Sequence, residues 1–448
     1  MSISLLFLLN SRRDDRLRKW MIGLVASMLI TTLAGCSSTS NKESTAVNTG
    51  TTEGKTQTLR IAMGSPGEGL IKVWEDIGKE FESQHAGIKV EFNYQDDDTY
   101  QTIGLPNLLS GKNAPDLYFE WAGQRLQTRV SDGYAADITE QLQSSGLKDM
   151  FADGTFNGMI VDGKTYMIPT AGDVTNVIFY NKEIFSKQGL EPPTTWEEFL
   201  TVCQKLKDAG ITPLVIGNSD LWTAGNWIAH VISRVVGEDA YSEALQLKQP
   251  FHSKDFIKAY TYVQELWDKG YINDNVNALN DSEGDMMFLN GSAAMHPIGS
   301  WLVPTAVEEN PDLQLGYFNT PVMPEGKGNQ DSVIGVLNGM VVNKNSKLID
   351  EAIDFMKLYS SAESSKKLSD AGAVPITKDG INTETTHPLS LSLNDLMENA
   401  PALVSPPDTG YSIEVANALN MATSQIIGGA KSPEDALSEL ETTIAPLK

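Results

Sequence analysis

The stretch from Gly163 to Phe185, GKTYMIPTAGDVTNVIFYNKEIF, constrains this chain more than any other. A turn at Asp162-Gly163-Lys164 opens it, an extended piece ends at Pro169, and a second extended run covers Val174 to Tyr180. Between them lie Thr170-Ala171-Gly172-Asp173, with no Asn-Gly or Asp-Gly pair to form the tight turn of a hairpin. Two arrangements fit: a passage of the chain between two bodies, or two neighbouring strands of one sheet. A single hydrophobic core stops growing near roughly 250 to 300 residues. At 448 residues the chain is expected to form two lobes. With 41% hydrophobic and 21% charged residues, the composition is that of a soluble globular protein and excludes a fibrous or broadly disordered one.

The amino terminus differs in kind. Arg12, Arg13, Arg16, Arg18 and Lys19 precede an apolar run, Met21 to Leu33, that is shorter than the roughly 20 residues of a membrane span. Residues 1–35 read as a secretory signal, ending Leu33-Ala34-Gly35-Cys36. That ending resembles the lipobox of bacterial lipoproteins: small residues admit the peptidase, and the Cys36 thiol accepts the acyl chain. The segment before Met21 is long for a signal and carries Asp14 and Asp15, which leaves the translation start open. Residues 36–58, rich in Ser, Thr, Asn and Gly, are expected to be a flexible tether. Loss of residues 1–35 removes five basic and two acidic side chains, leaving 29 Lys/Arg against 56 Asp/Glu, a net charge of about −27. Such a surface repels phosphate backbones and argues against nucleic acid as a partner. Cys203 is left without a partner and reads as a small core residue, since Trp196, Phe199, Leu200, Cys203 and Leu206 follow helical spacing.

Leu59, Ile61 and Met63 alternate as a strand, Leu70, Trp74, Ile77 and Phe81 recur as a helix, and Ile88, Val90, Phe92 and Tyr94 alternate again. This β-α-β unit predicts a parallel sheet and an α/β fold. The loop Gly64 to Gly69, at the carboxyl end of the first strand, matches neither the dinucleotide fingerprint nor the P-loop. It still sits where open α/β sheets bind ligands. Asp97 to Leu109 is expected as one helix, and Leu117 to Trp121 as a buried strand that brings Glu120 and Trp121 to the same rim. Thr195 and Glu198 fit a capping box. Trp222 lies in a loop of small and polar residues, where a ligand-facing role and a packing role fit equally. Phe256, Tyr260, Val263 and Trp267 read as a helix face in the core.

The five histidines include no pair four apart and no HExxH, and no Gly-x-Ser-x-Gly elbow occurs. No metal or cofactor is expected. Carboxylate content cannot exclude a glycosidase, which needs only two. Trp121, Trp222, Trp301 and Tyr411 stand near polar loops. Sugar rings offer a C–H face that stacks on an aromatic and a hydroxyl rim that wants planar polar side chains, so this pattern suits a carbohydrate cleft.

Several motifs then occur in a fixed order: Ala114-Pro115-Asp116, Gly163-Lys164-x-Tyr166-x-Ile168-Pro169, Phe179-Tyr180-Asn181-Lys182, Pro193-x-Thr195-Trp196-x-Glu198-Phe199, Gly291-x-Ala293-Ala294-Met295, Gly299-Ser300-Trp301, Pro324-Glu325-Gly326 and Gly372-x-x-Pro375. Together they resemble the extracellular solute-binding proteins of family 1, the sugar-binding components of ABC importers, from Leu59 onward. The resemblance implies a two-lobed periplasmic-binding-protein-like fold of the class II type, lobes joined by hinge strands and the ligand between them. It places crossings near Ala171, Ser332 and Ala373. The first lobe is then 59–170 with 332–372, and the second 173–330 with 375–448. Expected ligand contacts are Glu68, Glu120, Trp121, Gln124, Arg125, Asp173, Trp222, Trp301 and Tyr411. The implied protein is a monomeric receptor, lipid-anchored at Cys36 on the outer face of the cytoplasmic membrane, that passes a sugar to permease subunits. The rivals are a secreted glycoside hydrolase or lyase, and a binder of a non-sugar such as a polyamine, which would want several convergent carboxylates.

Overall fold

The computed structural model describes residues 56–152, 155–378, 380–381, 383–384 and 386–448. The signal, Cys36 and nearly all of the expected tether lie outside them. Strand β1 (Gln57–Gly64) takes in the last two residues expected of the tether, because Gln57 and Thr58 already pair with Ile88 and Lys89. The helix Glu68–Gln84 buries Trp74, Ile77 and Phe81 and leads to β2 (Ile88–Gln95), parallel to β1. The expected β-α-β unit is present. Strand β3 (Leu117–Trp121) lies parallel to β1 on its other side. The expected helix over Asp97 to Leu109 is present, running without a gap from Asp97 to Ser110 with Gly111 as its C-cap, and it contains a π-helical turn, Tyr100–Gly104, between the α-helical pieces Asp97–Thr99 and Leu105–Ser110. Pro106 lacks the N–H that an uninterrupted α-helical ladder would need.

A two-residue hairpin joins β4 (Ile160–Val161) to β5 (Lys164–Thr165) through Asp162 and Gly163, whose φ values of 49° and 77° suit such a turn. Strand β6 (Ile168–Val174) follows and passes into β7 (Val177–Asn181) across Thr175 and Asn176. The small residues Thr170 to Asp173, expected as a gap, are therefore paired strand. The break falls at Asn176, with φ of 55°. Gly172 is small for a packing reason: a Cβ there would come within 2.5 Å of Met397.

The second sheet runs in the order β10-β7-β9-β8, from β8 (Thr212–Leu214), β9 (Ala293–Ile298) and β10 (Leu315–Phe318). Strand β11 (Val333–Val342) then returns to the first sheet, antiparallel to β3 and β6, while its first residues pair with β12 (Leu403–Val404). Ile168 and Met340 belong to the core around the first sheet, whereas Val174 and Val333 belong to a core on the second. Strands β6 and β11 each run from one core into the other, which is how two lobes are joined. At their bulge a Cβ on Gly339 would meet the Ile168 carbonyl oxygen at 2.1 Å, so the two backbones approach as only glycine allows. The third passage was expected near Ala373, which packs on the first core. Thr377 still bridges Phe151, Lys378 donates to the Met150 carbonyl, and the chain reaches the second core with Leu389 and Leu393.

The capping box of Thr195 and Glu198 opens the helix Trp196–Asp208. Trp196, Phe199 and Cys203 are buried with Trp227 and Tyr260 in the largest core, and burial pushes the Cys203 thiol up, away from a reactive thiolate. Among the described residues, no helix is long and apolar enough to cross a membrane.

Candidate functional site

A cavity of about 820 Å³ lies where the carboxyl ends of β1 and β3, the β6–β11 pair and the turn Gly299-Ser300-Trp301 meet. This is large for a small-molecule site, which spans about 300 to 1,000 Å³. Of the nine expected contact residues, Trp121, Asp173, Trp222 and Trp301 line it.

Trp121 is held from two sides. Phe119 meets its ring edge-on, with centroids 4.8 Å apart and planes at 87°, and the Arg125 guanidinium carbon lies 4.7 Å from the ring centroid. Both fix the indole as a platform. Trp301 owes its pose to Gly299: a Cβ there would lie 2.1 Å from the indole, so the ring folds back over glycine backbone. The Trp301 and Trp222 rings are 5.8 Å apart at 54°. Trp222 belongs to the first turn of the helix Trp222–Val236. Its position is thus set by a regular element, where a loop was expected.

Asp173 joins β6 to both neighbours. Its carboxylate accepts from Ser300 Oγ at 2.9 Å and from Asn338 Nδ2 at 2.6 Å, and Asn338 Oδ1 accepts from Thr170 Oγ1 at 3.0 Å. Burial raises the Asp173 carboxyl above the ordinary range, against those two hydrogen bonds.

The other five expected residues lie off the cavity. Glu120 is 0% exposed, since along a strand it must face opposite Phe119 and Trp121. Its oxygens accept from Arg125 Nε at 2.8 Å and Arg129 Nε at 2.7 Å. Burial alone would raise its carboxyl, but the two guanidiniums hold it below the usual range. Arg125, expected to touch ligand, is committed to Glu120 and backs Trp121. Gln124, one residue earlier at the start of the helix Gln124–Ser131, does not line the cavity. Glu68 is exposed on the first turn of its helix, with Gly67 lining the cavity in its place. Tyr411 packs on the largest core, the one that holds Trp227 and Tyr260, and donates to Ser242 Oγ at 3.1 Å.

The sequence reading missed a set of acceptors. Asp97, whose carboxylate accepts from Gln101 Nε2 at 2.6 Å, lines the cavity beside β1. Asp281 and Asp285 line it from one helix, and Asp285 Oδ1 is hydrogen-bonded to buried His296 Nε2 at 2.9 Å. Asp408 and Asn226 complete it, with Asn226 Nδ2 3.5 Å from Asp408 Oδ2. Burial raises Asp97, and pushes Asp281 and Asp408 up to about 6. Several carboxylates thus line one cavity, and among the described residues no Lys, Arg or His lines it. Asp96-Asp97 follow a strand of the parallel sheet, the same signal that drew attention to the Gly64 loop. Asp408 has no such local signal. Among the described residues no group of three His, Cys, Asp or Glu could hold a metal ion. Aromatic faces and hydrogen-bond acceptors on one cavity equip it to bind a hydroxylated ring.

Comparison with known proteins agrees with this architecture. The family described as bacterial extracellular solute-binding protein matches residues 67–366. The multiple sugar-binding protein of Streptococcus mutans is 26% identical over 320 residues, 70% of this chain and 74% of the relative. The melibiose/raffinose/stachyose-binding protein of Bacillus subtilis is 21% identical, covering 79% of both chains. A solved structure from work on xylan utilization by the thermophilic bacterium Caldanaerobius polysaccharolyticus superposes with a TM-score of 0.79 at 25% identity, over 86% of this chain and 100% of that one. A chitin oligosaccharide binding protein gives a TM-score of 0.79 at 22% identity, over 87% and 98% of the two chains.

Proposed function

The chain belongs to the bacterial extracellular solute-binding protein family, and from that premise we propose that it is the carbohydrate receptor of an ABC importer. The observation that carries the reading is the placement of Trp121, Trp222 and Trp301 on one cavity with Asp173 and Asn338. Three indoles offer faces to the C–H surfaces of more than one sugar ring, and the carboxylates and amides accept from hydroxyls. An oligosaccharide suits a cavity of about 820 Å³ better than a single ring. Relatives named for sugars favour the same class.

The lobes, about 59–170 with β11 and the residues to 378, and 173–330 with the carboxyl-terminal part, would close by bending at β6 and β11. A ligand that touches both lobes favours the closed form by its differential affinity, and that form docks on the permease subunits. The receptor acts as a monomer held by acylated Cys36 and performs no covalent chemistry. Titration calorimetry against a panel of mono- to tetrasaccharides tests the reading, with heat from at least one sugar expected and the sugar recovered intact. No heat from any, with the protein folded, overturns it; cleaved sugar points to a hydrolase. Labelled palmitate should enter the wild type and not Cys36→Ala.

A further inference from the structure

Part of the cavity wall is uncharged and belongs to the core of the first lobe. Trp74 and Tyr359 line it with their rings stacked, centroids 4.3 Å apart and planes at 26°. Leu70, one turn before Trp74 on the helix Glu68–Gln84, lines the cavity with Leu368 and Ala373, and all three pack on that core. Pro304 meets this wall from the second lobe: a Cβ on Gly372 would lie 3.2 Å from it.

Two polar atoms stand in this apolar setting. Trp74 Nε1 and Tyr359 Oη have no hydrogen-bond partner among the described residues, on side chains only 5% and 8% exposed. The indole nitrogens of Trp196 and Trp227 are unpartnered too, but they are sealed inside the largest core. Trp74 Nε1 and Tyr359 Oη are not among the sealed atoms, and their residues line the cavity. Burial raises the Tyr359 phenol above its ordinary value, so the hydroxyl keeps its proton. An indole N–H can only donate, and the phenol stands ready to donate beside it.

Two donors in an apolar wall suit an acceptor that brings no proton of its own and carries a small apolar group. An acetyl substituent has both parts: a carbonyl oxygen with two lone pairs, and a methyl that gains from leaving water. A bare sugar hydroxyl matches less well, because it adds a donor that only Tyr359 Oη can accept and leaves the apolar side chains uncovered.

We propose that this wall is an acyl subsite, in which Trp74 Nε1 and Tyr359 Oη hold the carbonyl oxygen of an N-acetyl or O-acetyl group and Leu70, Pro304 and Leu368 receive its methyl. The cleft then prefers an acetylated glycoside to its parent sugar. This rests on the carbohydrate reading above and narrows it.

Calorimetry on matched di- and trisaccharides of the gluco, galacto and xylo series tests it. Each is prepared as the parent sugar and with its ring hydroxyls acetylated one at a time, and the two hexose series also as the 2-acetamido-2-deoxy sugar. In a series that binds, one acetylated form should be at least about tenfold tighter than the parent, as expected when two buried donors gain a partner. Tyr359→Phe, which deletes only the hydroxyl, should lower that ratio severalfold, and so should Trp74→Phe, which keeps an aromatic ring and removes the N–H. A purely structural role would weaken both ligands together and leave the ratio where it was. Should Trp74→Phe fail to fold, Tyr359→Phe decides alone. A parent sugar as tight as every acetylated form, or a ratio that neither variant moves, overturns the proposal while leaving the carbohydrate reading intact. Heat from no compound, with the protein folded, overturns both.

Discussion

His230 Nε2 donates to the Thr175 carbonyl oxygen at 2.7 Å, at the point where β6 gives way to β7. Because a carbonyl can only accept, this bond fixes the neutral tautomer with its proton on Nε2, leaving Nδ1 to accept from Arg234 Nη1 at 3.2 Å. Arg234 continues the chain of contacts to the Ser332 and Gln330 carbonyls at 2.8 and 3.0 Å, beside the start of β11. The helix that presents Trp222 and Asn226 to the cavity thus grips both connecting strands four and eight residues later.

Arg234→Met should therefore be costly. It removes the guanidinium that donates to His230 Nδ1 and to the Gln330 and Ser332 carbonyls, of which only Ser332 keeps another donor, Asn319 Nδ2 at 3.3 Å, and removing one partner of a buried polar network costs about 3 kcal/mol. Chemical denaturation should show a loss of that order. A loss below about 1 kcal/mol would mean that water replaces the guanidinium and that the grip is incidental.

Trp301→Ala should reduce sugar affinity at least about tenfold, through the loss of roughly 2 kcal/mol of stacking and apolar contact. Trp301 is only partly buried, so the melting temperature should fall by no more than a few degrees. Calorimetry and thermal melting of the same sample separate the outcomes. A large drop in melting temperature with affinity retained would make Trp301 a core residue.

The fold was more legible than the site. Alternation at Leu59, Ile61 and Met63 and helical spacing at Trp74, Ile77 and Phe81 report burial directly, so the β-α-β unit was readable. The crossing at β6 was harder, because Ala171 and Gly172 are small for the sake of Met397 and β11, partners remote in sequence. The platforms Trp121, Trp222 and Trp301 were visible because an aromatic in polar company is rare. Glu120 misled because a carboxylate beside such a platform looks ligand-facing, and only strand alternation and the partners Arg125 and Arg129 turn it inward. Asp408 was hidden because its neighbours in the cavity, Asn226 and Asp97, come from distant parts of the chain.

Glu120→Gln should destabilise the protein by about 3 kcal/mol, since it leaves two guanidiniums buried with half a partner. The Glu120 carboxyl is held below its ordinary value in the folded state. Its contribution is accordingly present above the unfolded pKa of about 4.3 and lost as pH falls through the lowered folded value. The gap between wild type and Glu120→Gln in denaturant midpoint should be wide at pH 7 and shrink below pH 4. A gap constant across that range would show that the charge of Glu120 plays no part.

Asp408 should give the opposite sign. Its folded carboxyl is pushed up to about 6, mainly by burial, so the folded state holds a proton that the unfolded chain, with a pKa near 3.9, has released. That stabilisation is full below about pH 4 and is lost as pH rises through 6. His230 works the other way in the same window. Burial, with Arg234 beside it, lowers its imidazole to about 3, so the unfolded chain takes up a proton below about pH 6.5 that the folded state refuses. The two oppose each other between pH 7.5 and 5, Asp281, also pushed up to about 6, acts on the side of Asp408, and the wild-type profile alone is uninformative. The comparison with Asp408→Asn isolates the carboxyl: relative to that variant, the wild type should gain about 1 kcal/mol on going from pH 7.5 to pH 5 in the absence of ligand. A difference that stays flat, or grows with pH, would place the Asp408 carboxylate in a solvated setting and remove burial as the cause of its raised value.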